Sequence, residues 1–429
     1  FRSADGTDPA ATAAPNGDKG MDGGNGFGGA MYFVANSQPV IENCQISNCS
    51  AIGGDGGNGG NGDVGVLGDG ETTPDTPGGN GGNGGNAGIA AGGAMYFEST
   101  CQPKITDVEI SNCQIAVGQI GSGGNGGDGD DQGGAAGIGG NGGNTGDLSG
   151  AFVHAGAIFF DTGSTVVMSN CSITDCTIST LQTSEYIPGT GGLGTTPGTG
   201  GIDNAAIGNL SILVSYGGAN YYGANSTAIL DNVTIQGNAS TLNQGGGEFY
   251  DTQCTTTHQN CIIMENTSPT ALPTVGAGSV GGGGIYLADP ASSTFTDCII
   301  SQNTAYYGAG VYFDGQTGGT VNFTDCVFSG NDSNVDDWES YGGAIYAGNV
   351  TTANNLVDSP TTPPFTMTVT NCTFDTNISP FGGALCVDAV VLTVTDSTFT
   401  ANSAEYGGGI FAYGSQVTIN DKRDRKSVV

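Results

Sequence analysis

The side chains able to do acid–base chemistry are few and poorly matched in this chain. Seven Lys and Arg stand against 40 Asp and Glu, a formal net charge of −33. Four of the seven (Lys422, Arg423, Arg425, Lys426) lie in the last eight residues, and none occurs between Lys104 and Lys422. Elimination on a polysaccharide needs a basic residue to take a proton, and glycoside hydrolysis needs convergent carboxylates as acid and base. The first chemistry lacks a base over most of the chain. For the second, Asp336 and Asp337 adjoin, but with Trp338 and Glu339 they read as a solvated loop, and His154 and His258 have no suitable neighbours. The expectation is that the protein is not an enzyme. The same charge disfavours nucleic acid and anionic membranes as partners, and no membrane-spanning run or secretory signal is present. Phe1 in place of Met reads as a processed or truncated chain, so a missing signal says little.

Twelve Cys would suggest an oxidising compartment. Seven of them (Cys44, Cys171, Cys261, Cys298, Cys326, Cys372, Cys386) fall where a repeat calls for small buried residues, and free core thiols are the favoured reading. Cys49, Cys113 and Cys176 share one column, where a bridge needs Cβ atoms about 3.8 Å apart, closer than ideal stacking gives. Cys254 with Cys261 and Cys101 with Cys113 are alternative pairs.

The repeat supplies the elements that position all of these groups. Nine times an Asn or Asp (Asn43, Asp107, Asn170, Asn232, Asn260, Asp297, Asp325, Asn371, Asp396) is followed three residues later by Ile or Phe, as at Ile46, Ile235 and Phe328. Three further on comes Cys or Asn, and ten Gly/Ala corners (Gly28, Gly92, Ala155, Gly217, Gly245, Gly282, Gly308, Gly342, Gly382, Gly407) each lead into an apolar strand. Identical residue types once per repeat are what a parallel β-solenoid needs, since its coils stack about 4.8 Å apart with like side chains in register. The shortest corner spacings, 25, 26 and 28 residues, are too short for a βαβ unit. The fold class is therefore all-β: a right-handed parallel β-helix of about ten coils over residues 28–420, after an N-terminal cap of residues 1–27 and before a basic tail of residues 421–429. The heading Asn/Asp suits a left-handed corner. His258 stands in an otherwise apolar ladder and reads as a buried, hydrogen-bonded core residue. Asn238, Asn266, Asn303, Asn331, Asn377 and Asn402 read as an asparagine ladder whose amides satisfy buried backbone groups. Four of these also belong to Asn-x-Ser/Thr sequons and, if buried, could carry no glycan.

Between the first four corners the spacing widens to 64, 63 and 62 residues, which places Gly-rich insertions at about 52–91, 117–154 and 187–216. Their period is three, Gly-Gly-Asn, as in Gly78 to Asn86. That period suits an extended left-handed helix with three residues per turn, packed side by side in polyglycine II-like fashion as a small slab beside the rod. The competing reading is a flexible linker. Asp55, Asp63, Asp128 and Asp130 are calcium candidates, the one cofactor entertained, although the nonapeptide register of calcium-binding solenoids is not sustained. The aromatic column Tyr32, Tyr96, Tyr221, Tyr286, Tyr312 and Tyr346 alternates with core positions and is expected to face outward, as a strip for sugar or another subunit, or as mere cover for the sheet.

GGAI at Gly342 to Ile345, with FSGN, FDTN and FTAN ending at Asn331, Asn377 and Asn402, resembles the repeats of chlamydial polymorphic outer membrane proteins. The match is good over Gly217 to Ala412 and looser upstream. The resemblance implies an extracellular β-helix on the bacterial cell surface, often an autotransported passenger acting in adhesion. The chain departs from that family in its long Gly-Gly-Asn inserts and in having no C-terminal membrane barrel. The functional expectation is a structural or adhesive surface protein. The chain stops in mid-coil at Val417 to Asn420, which would allow subunits to add head to tail into a fibre. Alternatives are a receptor- or glycan-binding adhesin module using the Gly-rich slab or the Tyr ladder, and, far less favoured, a polysaccharide lyase or hydrolase.

Overall fold

The computed structural model describes residues 16–65, 78–128, 141–146, 152–178, 189–190, 199–200, 214–240, 244–269, 281–315, 318–333, 340–348 and 365–420. The N-terminal residues 1–15, the basic tail 421–429, the Asp336–Glu339 loop and Asp130 lie outside them. Within them the regular elements are short β-strands, and every ladder between strands is parallel. Two ten-stranded sheets and one nine-stranded sheet run the length of a solenoid. One coil is represented by Ile285–Ala288, Ser292–Thr296 and Ile299–Ser301, one strand in each sheet. The next coil follows in strict register, with Tyr286 on Tyr312, Phe295 on Phe323 and Ile300 on Phe328.

The corners explain why so few residue types recur. The Asn/Asp heads carry φ of 52–57°, the left-handed region that these two types tolerate best after Gly. Three residues into the third-sheet strand comes a second left-handed corner that the sequence reading missed. Asn48, Asn112, Asp175, Gly237, Glu265, Gln302, Gly330, Thr376 and Ala401 sit there with φ of 51–67°. The mixed residue types hide it. The Gly corners form the third bend: Gly28 has φ 61°, and a Cβ there would lie 2.1 Å from the Met31 carbonyl oxygen, which favours Gly, although Ala155 holds the equivalent corner at φ 65°.

Each short strand of the first sheet sends its outer two residues inward and its middle one outward. Met95 and Phe97 thus join the lumen core with Ile105, Ile110, Leu230 and Ile235, whereas Tyr96 joins a separate aromatic cluster outside the sheet. Where the Gly-rich inserts leave and rejoin the first coils, two small extra sheets extend the rod sideways. One pairs Ser50–Ile52, Gln114–Ala116 and Thr177–Ile178, the other Gly26–Phe27, Ala90–Ala91, Phe152–His154 and Val214–Tyr216. No helix among the described residues is long and apolar enough to cross a membrane.

Candidate functional site

The Gly-Gly-Asn inserts are built by a hydrogen-bond rule that uses all three residues of the triplet. In Gly84-Gly85-Asn86, the Gly84 N–H donates to Asn144 O at 2.9 Å and the Gly85 N–H to Gly57 O at 2.7 Å. The Asn86 N–H donates to the side-chain Oδ1 of Asp22 at 2.7 Å. The first bond joins parallel segments of successive coils, and the second joins antiparallel segments. Residues 16–25, 78–88 and 141–146 are parallel to one another, as are 53–65 and 117–128, and the two sets run antiparallel across a shared face. The outcome is a two-layer slab. A Cβ at Gly84 would come within 2.0 Å of Gly121 O, and one at Gly85 within 2.0 Å of Met21 O. Neither glycine can be replaced without parting the segments, whereas the third residue turns its side chain outward.

Those third residues form regular rows. Asn16 Oδ1 accepts from Asn80 N, and Asn80 Oδ1 from Asn141 N, each at 2.8 Å; Asn141 Oδ1 accepts from Thr199 N at 2.9 Å. On the opposite face Asn61 Oδ1 accepts from Asn125 N, and Asn125 Oδ1 from Thr190 N. The Asn that looks like a polar spacer is therefore the acceptor that satisfies the next coil's orphan N–H. Asn16, Asn80, Asn83, Asn141, Asn61 and Asn125 are all exposed.

The asparagine column lies inside the rod. Asn303 is fully buried, and its Nδ2 donates to Ile263 O at 3.0 Å and to Asn331 Oδ1 at 3.0 Å. Its Oδ1 accepts from the Asn266 backbone and side chain at 3.0 and 3.1 Å. Asn238, Asn266, Asn331 and Asn377 repeat the pattern, and Asn402 donates to Phe374 O at 2.9 Å. At the three N-terminal coils Cys49, Cys113 and Cys176 hold this column, where the chain turns out into the insert. Cys176 N–H is still capped by Asn238 Oδ1 at 2.9 Å.

The tyrosine column departs from its expected exposure. Tyr32 is 45% exposed, but Tyr96, Tyr221, Tyr286, Tyr312 and Tyr346 are 8% or less, so they offer no open strip. The rings do point away from the lumen, as the alternation requires. A second aromatic column covers them, contributed by residues directly before the Gly corners: Phe27, His154, Tyr216, Tyr307, Tyr341, Phe381 and Tyr406. Tyr216 stacks on Phe249 with centroids 4.2 Å apart, and His154 on Tyr221 at 4.6 Å. The recurring Tyr-Gly and Phe-Gly pairs were the available signal. Hydroxyls at the edge donate to a carboxylate of the next coil, Tyr32 to Glu98 and Tyr221 to Asp251 Oδ2 at 2.9 Å. Burial, then Glu98, pushes the Tyr32 hydroxyl up to about 12.

Of the calcium candidates, Asp55 uses Oδ1 to accept from Gln119 N at 2.8 Å, and the Asp63 and Asp128 carbonyls accept from Gly79 and Gly65. Among the described residues no three His, Cys, Asp or Glu side chains converge as a metal site. All twelve cysteines are free thiols. Cys101 donates to Val34 O, and Cys254 and Cys261 to Gly223 O and Gln259 O.

One polar constellation escaped the sequence reading. Glu248 takes the lumen position held by Ile285 in the next coil, and His258 that of Phe295. Both are fully buried, with His258 Nε2 2.8 Å from Glu248 Oε2. Tyr222 Oη donates to Glu248 Oε1 at 3.2 Å, Tyr250 Oη lies 3.2 Å from His258 Nε2, and Thr256 Oγ1 lies 3.3 Å from His258 Nδ1. The acid and base belong to one coil and are sealed in the lumen, and the Tyr222 hydroxyl ties them to the coil before.

Comparison with known proteins bears on the rod. The family described as "Right handed beta helix region" matches residues 83–358, more than half of the chain. The chain belongs to this family. Its stacked parallel sheets are those of a right-handed beta helix, and beta-helix proteins include both enzymes and non-enzymes. No curated protein matches. Among solved structures, the nine polyproline type II helical bundle springtail antifreeze protein from Granisotoma rainieri is similar at 19% identity. That match covers 46% of this chain and 90% of that chain with a TM-score of 0.11. At that score the two structures do not superpose, and nothing is transferred from it to this beta helix.

Proposed function

We propose that this chain is an extracellular, non-catalytic structural or adhesive protein of the bacterial cell surface, in which the β-helix is a stiff mount and the glycine slab the recognition face. The observation that carries this reading is the slab itself. Its packing is of polyglycine II type, and it fixes every third side chain on a flat exterior without any side-chain core beneath. Mounting adaptable polar groups on a rigid scaffold lowers the ordering cost of binding. The repeat resemblance to chlamydial polymorphic outer membrane proteins, and the secreted or surface setting in which beta helices are common, support the same location.

The test is adhesion of purified chain, on beads, to bacterial, animal and plant cell surfaces, compared with a variant lacking Gly53 to Asn86. Loss of adhesion in a variant that keeps its β-sheet circular dichroism supports the slab as the site. Equal adhesion of both, or none by the intact chain, contradicts it.

A further inference from the structure

Four outward Asn of the slab, Asn16, Asn80, Asn83 and Asn141, have their two polar atoms committed differently. The Oδ1 atoms of Asn16, Asn80 and Asn141 accept the backbone N–H of the next segment, and Asn83 Oδ1 accepts from Asn144 N at 3.0 Å. Among the described residues no group takes the Nδ2 hydrogens of Asn16, Asn80, Asn83 or Asn141. The acceptor half of the amide is consumed by the fold, and the donor half is left on the surface. Along the 78–88 segment the NH2 groups of Asn80 and Asn83 stand one triplet apart, about 9.3 Å at 3.1 Å per residue. Across segments they recur at about the coil spacing of 4.8 Å.

We propose that this face is a donor array that binds a neutral, extended, hydroxyl-rich polysaccharide through its ring and hydroxyl oxygens. The inference rests on the adhesive reading above and names the ligand class for the slab. Three features select that occupant. A surface of fixed donors needs a ligand rich in acceptors. The net charge of −33 repels polyanions, so acidic polysaccharides and nucleic acids are poor acceptor-bearing partners here. The spacing of Asn80 and Asn83 along one segment, with Asn16 and Asn141 on the segments beside it, suits an extended chain that offers oxygens along its length.

The chain itself supplies a clean perturbation. Asp22 and Asp55 already stand at third positions and accept the next segment's N–H through Oδ1 at 2.7 and 2.8 Å. Asn80→Asp, Asn83→Asp and Asn141→Asp therefore keep the acceptor that builds the slab and replace the donor by a carboxylate oxygen, which a neutral polymer does not repel by charge. The experiment measures depletion of the full chain from solution by microcrystalline cellulose and by chitin, with alginate as the acidic control. Expected is saturable binding to a neutral polymer, none to alginate, and at least about tenfold weaker binding by the triple variant at an unchanged melting midpoint, from three lost hydrogen bonds. Undiminished binding by the triple variant overturns the donor array. Binding to alginate alone, or to none of the three by a chain that still adheres to cells, overturns the ligand class and leaves the adhesive reading standing; failure of cell adhesion as well brings down both.

Discussion

At the scale of single residues, the chemistry has been turned inward. The Glu248–His258 pair is held at 2.8 Å with neither group exposed, and such a pair contributes little net stability, although removing one partner strands the other. Glu248→Ala should lower stability by about 3–5 kcal/mol. The double variant Glu248→Ile, His258→Phe, which copies the next coil, should be neutral or stabilising in urea unfolding. Equal losses in both variants would show that the pair itself drives folding. Asp388 gives a pH-dependent counterpart. Burial holds its carboxyl up at about 6, above an ordinary value of 3.8. Its contribution to stability is fully present below pH 3.8 and lost as pH rises through 6. Asp388→Asn should thus raise the melting midpoint near neutral pH and leave it unmoved in acid. A gain of the same size at both pH values would show that the charge is not the cause.

At the scale of elements, the strands and the triplets differ in what they tolerate and in how plainly they could be read. The Ile/Phe and Asn columns were legible because each keeps one kind of side chain through six or more successive coils, and the Asn/Asp heads because few residues accept φ near 53°. The second corner was not legible: Glu265, Gln302, Thr376 and Ala401 share a backbone conformation but no chemistry. The cover over the tyrosines was missed because Tyr216-Gly217 and Tyr341-Gly342 were read for the glycine alone. His258 was read as a buried, hydrogen-bonded core residue, as it is, but its partner Glu248 was passed over because the two occupy different sheets and meet only across the lumen. The triplet period was readable, and with it the packing of the two glycines and the placing of Asn or Asp on the third face, but the acceptor role of that third side chain was not, since it depends on a neighbour some 60 residues away. Those roles give a sharp contrast. A Cβ at Gly82 would lie 1.9 Å from Asp18 O, so Gly82→Ala should melt the slab locally and open it to proteolysis. Asn83→Ala forfeits one acceptor, at a cost on the order of 1 kcal/mol, and should leave it resistant. Equal sensitivity in the two variants would mean that the segments are not in contact.

At the scale of the whole molecule, the β-helix and the slab share one coil spacing. Each insert leaves a corner of the rod already in register with the insert above it, so stacking of the coils prepays much of the ordering that a glycine-rich segment would otherwise cost. The rod gives the slab its order, and the slab gives the rod a flat face of fixed amides; of the three long sheets only the first is closed over by aromatics, the others presenting residues such as Gln45, Glu109 and Thr255 to solvent. The most direct measurement is amide hydrogen–deuterium exchange of residues 53–65 and 78–88 in the intact chain, set against the coil containing Asn303. Hydrogen-bonded layers predict slow exchange, approaching that of the coil, with both segments protected together. Exchange as fast as that of an unstructured glycine-rich peptide would contradict the slab and, with it, the recognition face.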